Sequence, residues 1–390
     1  MSSRPPENEA PFSRETQHRV IGVVCALGIA FSLVVPGGFS IAPVTLMLLG
    51  VWSLVRARWH RGDTNFAMVT LLICFALYAA GSAALSAAHG DPAGHFEQYL
   101  PFLGATLIAV ALQTHTLDLN QLIGGFAMAA VLAAIASIVQ VVQAEEIHRA
   151  SLLTTTNTLG VLGVLYAVLC ASALGWPPSQ SCNRWRRLLV FGALGGLAVS
   201  LLSGSKGSWL ALLAVGPMAF AQATNRLGSL ARIRWAAAVA IYVLLISALP
   251  HSPVFSRIQS FSQHGDSFRG LYWTEGLNMV RANPLMGVGR GEVSRQLVEI
   301  TTREDGSPLP PELTRDLHNE YLDILAARGL PGLLLTLATL GVPLLLLARS
   351  ARAADNPNRA RAVTGMLFIA AFAVCGLTDV QFQINAKRMT

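Results

Sequence analysis

The amino-acid sequence predicts an all-α polytopic membrane protein with about eleven to twelve transmembrane helices. Three observations predict it. Only 13% of the 390 residues are charged, about half the ~25% usual in a soluble domain. Hydrophobic residues make up 53%, and mean hydropathy is +0.51. The apolar residues also fall in runs of the ~20 residues that a helix needs to cross ~30 Å of hydrocarbon. A soluble enzyme is excluded on these grounds. The net charge of +7 would suit nucleic acid, but 26 of the 28 basic residues are arginine, and most flank apolar runs instead of forming one patch. The charge therefore sets topology, and nucleic acid is not an expected partner.

In chain order, residues 1–18 are polar, contain Pro5 and Pro6, and lead into an apolar stretch with no small-residue cleavage site after it. That pattern fits a cytoplasmic tail rather than a signal peptide. About nine spans are expected in a bundle over 19–250, near 19–36, 39–55, 66–88, 97–112, 119–143, 156–174, 186–203, 207–222 and 233–250. Two more are expected near 330–348 and 361–380. With the N-terminus in the cytoplasm, the cytoplasmic loops carry Arg56, Arg58 and Arg61, then Arg184, Arg186 and Arg187, then Arg226, Arg232 and Arg234, then Arg349, Arg352, Arg359 and Arg361. The short loops on the other side carry only Arg149 and Lys206. The positive-inside rule converts this asymmetry into an orientation that puts 251–317 outside, as one large periplasmic loop.

That loop is the only long polar stretch, and its length suggests an ordered, functional unit with short helices. Phe268, Leu271, Tyr272, Leu277, Met279 and Val280 recur at roughly helical spacing, and Asn283-Pro284 stops the run before a glycine-rich turn at Gly287, Gly289 and Gly291. A short amphipathic helix lying on the outer leaflet is expected there. Pro308, Pro310 and Pro311 mark a rigid connector. Residues 318–390 then hold a short re-entering helix, from His318 to Arg328 and ended by Gly329-Leu-Pro331-Gly332, followed by the last spans. No repeat stands out, which lends an array or an inverted-repeat transporter no support.

Few residues can carry chemistry. Four of the five cysteines sit in apolar runs and Cys182 lies in a basic loop, so neither a disulfide framework nor a zinc site fits. With no Asp-x-Asp, no His-Glu-x-x-His and no paired cysteines, no metal and no cofactor are expected. Lys206 lies in the tight turn Ser203-Gly-Ser-Lys-Gly-Ser208. It either holds an anionic head group together with outward backbone N–H groups, or merely snorkels to the interface. Arg269 opens the amphipathic helix, with Trp273 close behind and Arg281 further on, and arginine suits bidentate contact with phosphate. As single loop residues, these arginines also fit plain head-group contacts. Among nine histidines, His318 alone begins a helix that re-enters the membrane, where a neutral imidazole accepts a proton from a hydroxyl near neutral pH. Asp379, near the outer end of the last span, is costly there unless it serves a purpose, and it is a candidate to orient the imidazole.

Taken in order, Ser-Gly-Ser-Lys206-Gly-Ser-Trp, Arg269-Gly-Leu-Tyr-Trp273, Asn283-Pro-Leu-Met-Gly287-Val-Gly289 and His318-Asn319-Glu-Tyr321-Leu make a set that resembles the bacterial O-antigen ligase family. Its wider superfamily includes O-antigen polymerases and protein O-oligosaccharyltransferases. The likeness covers roughly 150–380, and Arg149 to Gly160, with Asn157, looks like a fainter family feature.

The resemblance implies an inverting, metal-independent glycosyltransferase of GT-C-like architecture in the bacterial inner membrane, a monomer whose active site faces the periplasm. The donor would be O-antigen polysaccharide on undecaprenyl diphosphate, the acceptor the lipid A core, and membrane lipids the surroundings. By that carry-over, Lys206 and Arg269 hold the diphosphate and His318 activates the acceptor hydroxyl. Trp273, Arg281, Asn319, Tyr321, Arg149 and Asn157 contact substrate, and Asp379 orients. Family members often have arginine where Lys206 stands, which exchanges a bidentate fork for a point charge. A polymerase or a protein-directed oligosaccharyltransferase using the same donor remains an alternative, as does a transporter from a different class.

Overall fold

The computed structural model describes residues 14–36, 38–55, 66–90, 100–114, 118–176, 183–264, 267–301, 316–353 and 356–380. Most of the polar tail, Arg56, Arg58 and Arg61, Cys182 and the proline connector lie outside these. The described residues form fourteen helices: α1 (Arg14–Ala30), α2 (Gly38–Val55), α3 (Phe66–Ala88), α4 (Leu100–Thr114), α5 (Leu119–Val142), α6 (Thr156–Leu174), α7 (Asn183–Leu202), α8 (Lys206–Ala223), α9 (Ser229–Ser247), α10 (Pro253–His264), α11 (Ser267–Ala282), α12 (Arg290–Thr301), α13 (Glu320–Ala353) and α14 (Asn356–Gly376). The protein is an all-α polytopic membrane protein. Each of the eleven expected spans falls on a helix, but seven of these, α3, α5, α6, α7, α9, α13 and α14, are long and apolar enough to cross a membrane by length and composition. The difference has simple causes. Apolar stretches of α1 and α2 form shorter helices, α4 has 15 residues, and α8 is diluted by Lys206 and Gln222 at its ends.

Neighbour contacts close into a circuit that runs α1, α2, α4, α3, α13, α14, α6, α7, α5 and back to α1. Helix α8 packs on α6 and α14, and α9 on α7. In hydrocarbon the gain from burying Leu against Leu is small, so close packing depends on small residues that let backbones approach. The α5–α6–α7 seam follows that rule. Ala127, Ala130 and Ala133 are wholly buried, and a Cβ on Gly196 would stand 2.6 Å from the Gly163 carbonyl oxygen and 2.5 Å from the Ala167 nitrogen. One on Gly195 would stand 2.7 Å from the Ala130 oxygen. Only glycine fits at these crossings.

The bundle has two chemically different ends. At one, Trp176 Nε1 donates to Thr364 Oγ1 at 2.9 Å, Gln222 Nε2 donates to the Ala360 carbonyl at 2.9 Å, and Arg361 lies 5.5 Å from the Trp176 ring centroid. Arginines 184, 186, 187, 232, 234, 349, 352 and 359 belong to the helix termini of this same end. The candidate residues gather at the other.

Helix α13 is broken at Gly329, whose φ of 64° and ψ of −165° are non-helical. The short helix expected over 318–328 is thus its first part. Pro331 has no N–H to give Ala327, and the Leu330 N–H turns away to the Pro284 carbonyl (3.0 Å). The carbonyls so released are taken by the glycine-rich turn: Val288 N–H donates to Ala326 at 2.8 Å and Gly289 N–H to Ala327 at 3.0 Å. Gly287 and Gly289 have φ of +76° and +88°, which glycine adopts without the Cβ clash.

One expectation about the 251–317 segment needs correction. Helix α11 does not lay its whole apolar face on lipid. Tyr272 and Met279 are buried with Val293 and Leu297 of α12 and with Leu317, Ala326 and Ala327, while Leu271 and Leu277 remain exposed. The short helices expected in this segment are α10, α11 and α12, and the last starts inside the glycine run.

Gly196→Val is expected to cost about 1–3 kcal/mol through overpacking of the α6–α7 seam, read as a lower melting temperature of the purified protein. A polar change on the exposed face of α9 is expected to leave that seam unaffected.

Candidate functional site

His318 is held by the segment on either side of it. Asn319 caps α13, its Oδ1 accepting from the N–H groups of Tyr321 (3.1 Å) and Leu322 (3.0 Å). Asp316 Oδ1 accepts from the His318 N–H at 3.1 Å. The wholly buried Asp323 accepts from the Leu317 N–H at 3.0 Å and pairs with Arg290 at the start of α12. Trp273 Nε1 donates to the Leu317 carbonyl at 3.1 Å. Between these restraints His318 takes a φ of 49°, a left-handed conformation that non-glycine residues keep only where the surroundings over-determine it. Such strain concentrates at working sites.

The imidazole faces two carboxylates with one of its nitrogens. Its Nδ1 is 3.3 Å from Asp316 Oδ1 and 3.7 Å from Asp379 Oδ1, and its ring stacks on Tyr272 with centroids 5.9 Å apart. The end of α14 is fixed to the same segment, because Asn319 Nδ2 donates to the Leu377 carbonyl (3.1 Å) and the Tyr321 hydroxyl to Ala373 (2.7 Å). That fixing brings Asp379 to the histidine. Burial alone would lower the His318 pKa, but the approach of Asp379 and the negative charges of Asp316 and Asp379 outweigh both it and the repulsion of Arg269, so it ends above the ordinary value. Asp316 is also shifted upward, first by burial and then by Asp323 and Asp379, against the pull of His318 and Arg290.

Cations gather on the neighbouring helix termini. Arg149 Nε donates to the Ser203 carbonyl at 2.9 Å and its Nη2 to Asn157 Oδ1 at 3.0 Å. Arg257, on α10, donates to the Gly204 carbonyl at 3.2 Å. Both grip the turn that Lys206 follows, and Lys206 is the first residue of α8. The turn is stapled by its serines: Ser200 Oγ to Ser208 Oγ at 2.9 Å, Ser203 Oγ to the Ser200 carbonyl at 2.8 Å, and Ser208 Oγ to the Ser205 carbonyl at 2.8 Å. Its own N–H groups do not all face outward as expected. Those of Ser203, Gly204 and Ser205 go to Val199 O, Leu201 O and Ser203 Oγ. Burial, then repulsion from Arg257 and Arg269 against attraction to Asp379, pushes the Arg149 pKa down to about 10. Arg149, Arg257 and Arg269 therefore share one field with Asp379, and Arg269 also reaches His318.

The sequence-derived candidates sort themselves as follows. His318, Asp379, Arg269, Arg149, Asn157 and Lys206 are brought to one end of the bundle. Trp273, Asn319 and Tyr321 are engaged in bonds that place the His318 segment and α14. Arg281 lies about 18 Å along α11 from Arg269 and is not brought to the histidine. Asp316, Arg257, Arg290 and Asp323 were missed. Only Asp316, two residues before His318, carried a readable signal. Asp316, His318 and Asp379 each offer a ligand atom within 4.8 Å of the others, so they could hold a metal ion. The positive charges of Arg269 near His318, Arg149 near Asp379 and Arg290 near Asp316 oppose a dication there.

Fold and site together define a polytopic helical membrane protein with a histidine–carboxylate cluster and a cationic field at one end of its bundle. Residues 190–337, from α7 into α13, match the family model described as O-antigen ligase. The match takes in Lys206, Arg257, Arg269 and His318, and it supports a ligase- or polymerase-type function. No curated protein matches the chain.

Asp379→Asn is expected to move the His318 titration, followed by NMR of the labelled imidazole, to lower pH. The raised histidine pKa gives stability that is complete below the unfolded value and is lost as pH rises through the folded one. The variant is accordingly expected to lose part of its extra melting temperature on the acid side.

Proposed function

We propose that the protein is an O-antigen ligase of the bacterial inner membrane, transferring O-antigen polysaccharide from undecaprenyl diphosphate to the lipid A core on the periplasmic face. The observation that carries the reading is the histidine–carboxylate cluster lying in the same electrostatic field as three arginines, at the bundle end away from the arginine-rich loops. The positive-inside rule assigns that end to the periplasm. A transporter would keep its charged groups near the midplane, whereas these lie at helix termini.

The chemistry follows from the charges. Lys206, Arg269 and Arg149, with Arg257 behind them, hold the diphosphate. Neutral His318 takes the proton of an acceptor hydroxyl as its oxygen attacks the anomeric carbon from the face opposite the diphosphate, inverting that centre. The bond from that carbon to the phosphate oxygen breaks, and the lipid diphosphate leaves with the electron pair. Fixed cations stabilise the charge as it grows, more in the transition state than in the ground state. Asp379 and Asp316 orient the imidazole and stabilise the imidazolium. No metal is required by these steps.

Cells with His318→Ala at matched protein level are expected to carry bare lipid A core and to accumulate long O-antigen chains on the lipid carrier, by lipopolysaccharide gel and parallel donor analysis. The wild-type protein is expected to keep its activity in EDTA. Single repeat units on the carrier would mean a polymerase, and unchanged lipopolysaccharide would sink the transferase reading.

Arg269→Lys keeps the charge but not the fork and is expected to lose at least about tenfold in transfer rate, since charge-assisted bidentate contacts are worth upward of ~1.5 kcal/mol. Full activity there would make Arg269 a generic surface arginine.

A further inference from the structure

A cleft of about 690 Å³ opens between α11, α12 and the end of α3, within the ~300–1,000 Å³ range of ligand sites. Its polar lining is Glu275, Asn278, Asn283, Glu292, Gln296 and His89. Glu275, Asn278, Met279 and Ala282 recur at helical spacing and so share one face of α11, while Glu292 and Gln296 share one face of α12. The amides set the carboxylates: Asn278 Nδ2 donates to Glu275 at 3.3 Å and Gln296 Nε2 to Glu292 at 2.6 Å. Each carboxylate oxygen has two acceptor positions, and each amide both donates and accepts. Met279 and Met286 add apolar surface. None of the described residues lining the cleft is lysine or arginine.

We propose that this cleft is the subsite for the acceptor, and that it takes an uncharged glycan rather than a phosphorylated one. The inference rests on the ligase reading above and names the substrate class of its second site. Paired carboxylates and amides bind vicinal hydroxyls, which donate to the former and do both with the latter. Hydrogen bonds from Arg295 and then Gln296 hold the Glu292 pKa down to about 2, so this carboxylate stays ionised and disfavours a phosphate beside it. The donor end shows the opposite sign, with Arg149, Arg257 and Arg269. Two substrates of opposite preference are thereby kept on separate parts of the outer surface. The cleft is tied to the reacting histidine by two connections. Glu275 lies one turn along α11 from Tyr272, which stacks on His318. Arg290, which opens α12, pairs with Asp323, and Asp323 holds the Leu317 N–H.

The test uses the purified full chain in lipid nanodiscs, with lipid-linked polysaccharide as donor and core-only lipopolysaccharide as acceptor. Delipidated core oligosaccharide serves as competitor, either dephosphorylated or left phosphorylated. The dephosphorylated competitor is expected to inhibit more strongly. Glu275→Gln and Glu292→Gln are each expected to raise the acceptor KM about tenfold, the loss of one hydrogen bond to a charged group, with donor KM and kcat unchanged. Arg295→Ala removes the ion pair but leaves the carboxylate, and it is expected to leave the acceptor KM as in the wild type.

Wild-type acceptor KM in both glutamine variants, an Arg295→Ala effect as large as that of Glu292→Gln, or stronger inhibition by the phosphorylated competitor would each overturn the assignment. Because Glu275 and Glu292 stand on different helices, misfolding of one variant leaves the other as the measurement. Absence of transfer by the wild-type protein would instead overturn the ligase reading, so the two failures are distinguishable.

Discussion

Helices α11 and α12 are joined to the membrane bundle by an exchange of backbone hydrogen bonds at the break in α13. Pro331 removes one N–H and Gly329 turns the chain out of helix, leaving the carbonyls of Ala326 and Ala327 without their helical donors. A buried carbonyl without a donor costs on the order of 1–3 kcal/mol. The N–H groups of Val288 and Gly289 fill both places, and Leu330 in turn supplies Pro284. The glycine-rich turn and the glycine–proline break are thus two halves of one joint. From this joint α11 runs back to place Tyr272 and Arg269 beside His318, and α12 starts with the arginine that pairs with Asp323.

Electrostatic separation organises the site that the joint assembles. Charges are expensive in a bilayer, and here those of the site lie in the links and first turns at one end of the bundle, where polar surroundings and each other's fields offset the cost. Within that zone the carboxylates collect on one side of His318 and the arginines approach from α10, α11 and the α5–α6 link. Arg269 is the member that both sides feel, since its charge bears on Arg149 and on His318.

Much of this was legible in the sequence. Apolar run lengths located all eleven helices of the bundle, because a membrane span has to satisfy its own backbone and the pattern is insensitive to tertiary context. His318 and Asp379 stood out through position, one opening a helix and the other costly where it lay. The helix ending at Asn283-Pro284 was readable from its stop signal. Helix α12 was not, because Gly287, Gly289 and Gly291 mask a start that is fixed only by docking onto α13. Arg257 and Asp323 escaped for a related reason: their partners, the Gly204 carbonyl and the Leu317 N–H with Arg290, are backbone groups or residues distant in sequence. Asn319 and Tyr321 were expected to contact substrate through the family resemblance. In the fold both reach across to α14.

The serine-stapled turn between α7 and α8 has a kinetic consequence. Ser200, Ser203 and Ser208 commit their hydroxyls to one another and to the local backbone, and Arg149 and Arg257 close over the turn's carbonyls. The loop is therefore already ordered before any anion arrives, and its conformational entropy is lost once, on folding, instead of at each encounter. A lipid carrier meeting such an anchor on the proposed reading has no loop to reorganise on arrival or departure. On that reading, no step of loop ordering adds to the cost of taking up or releasing the carrier.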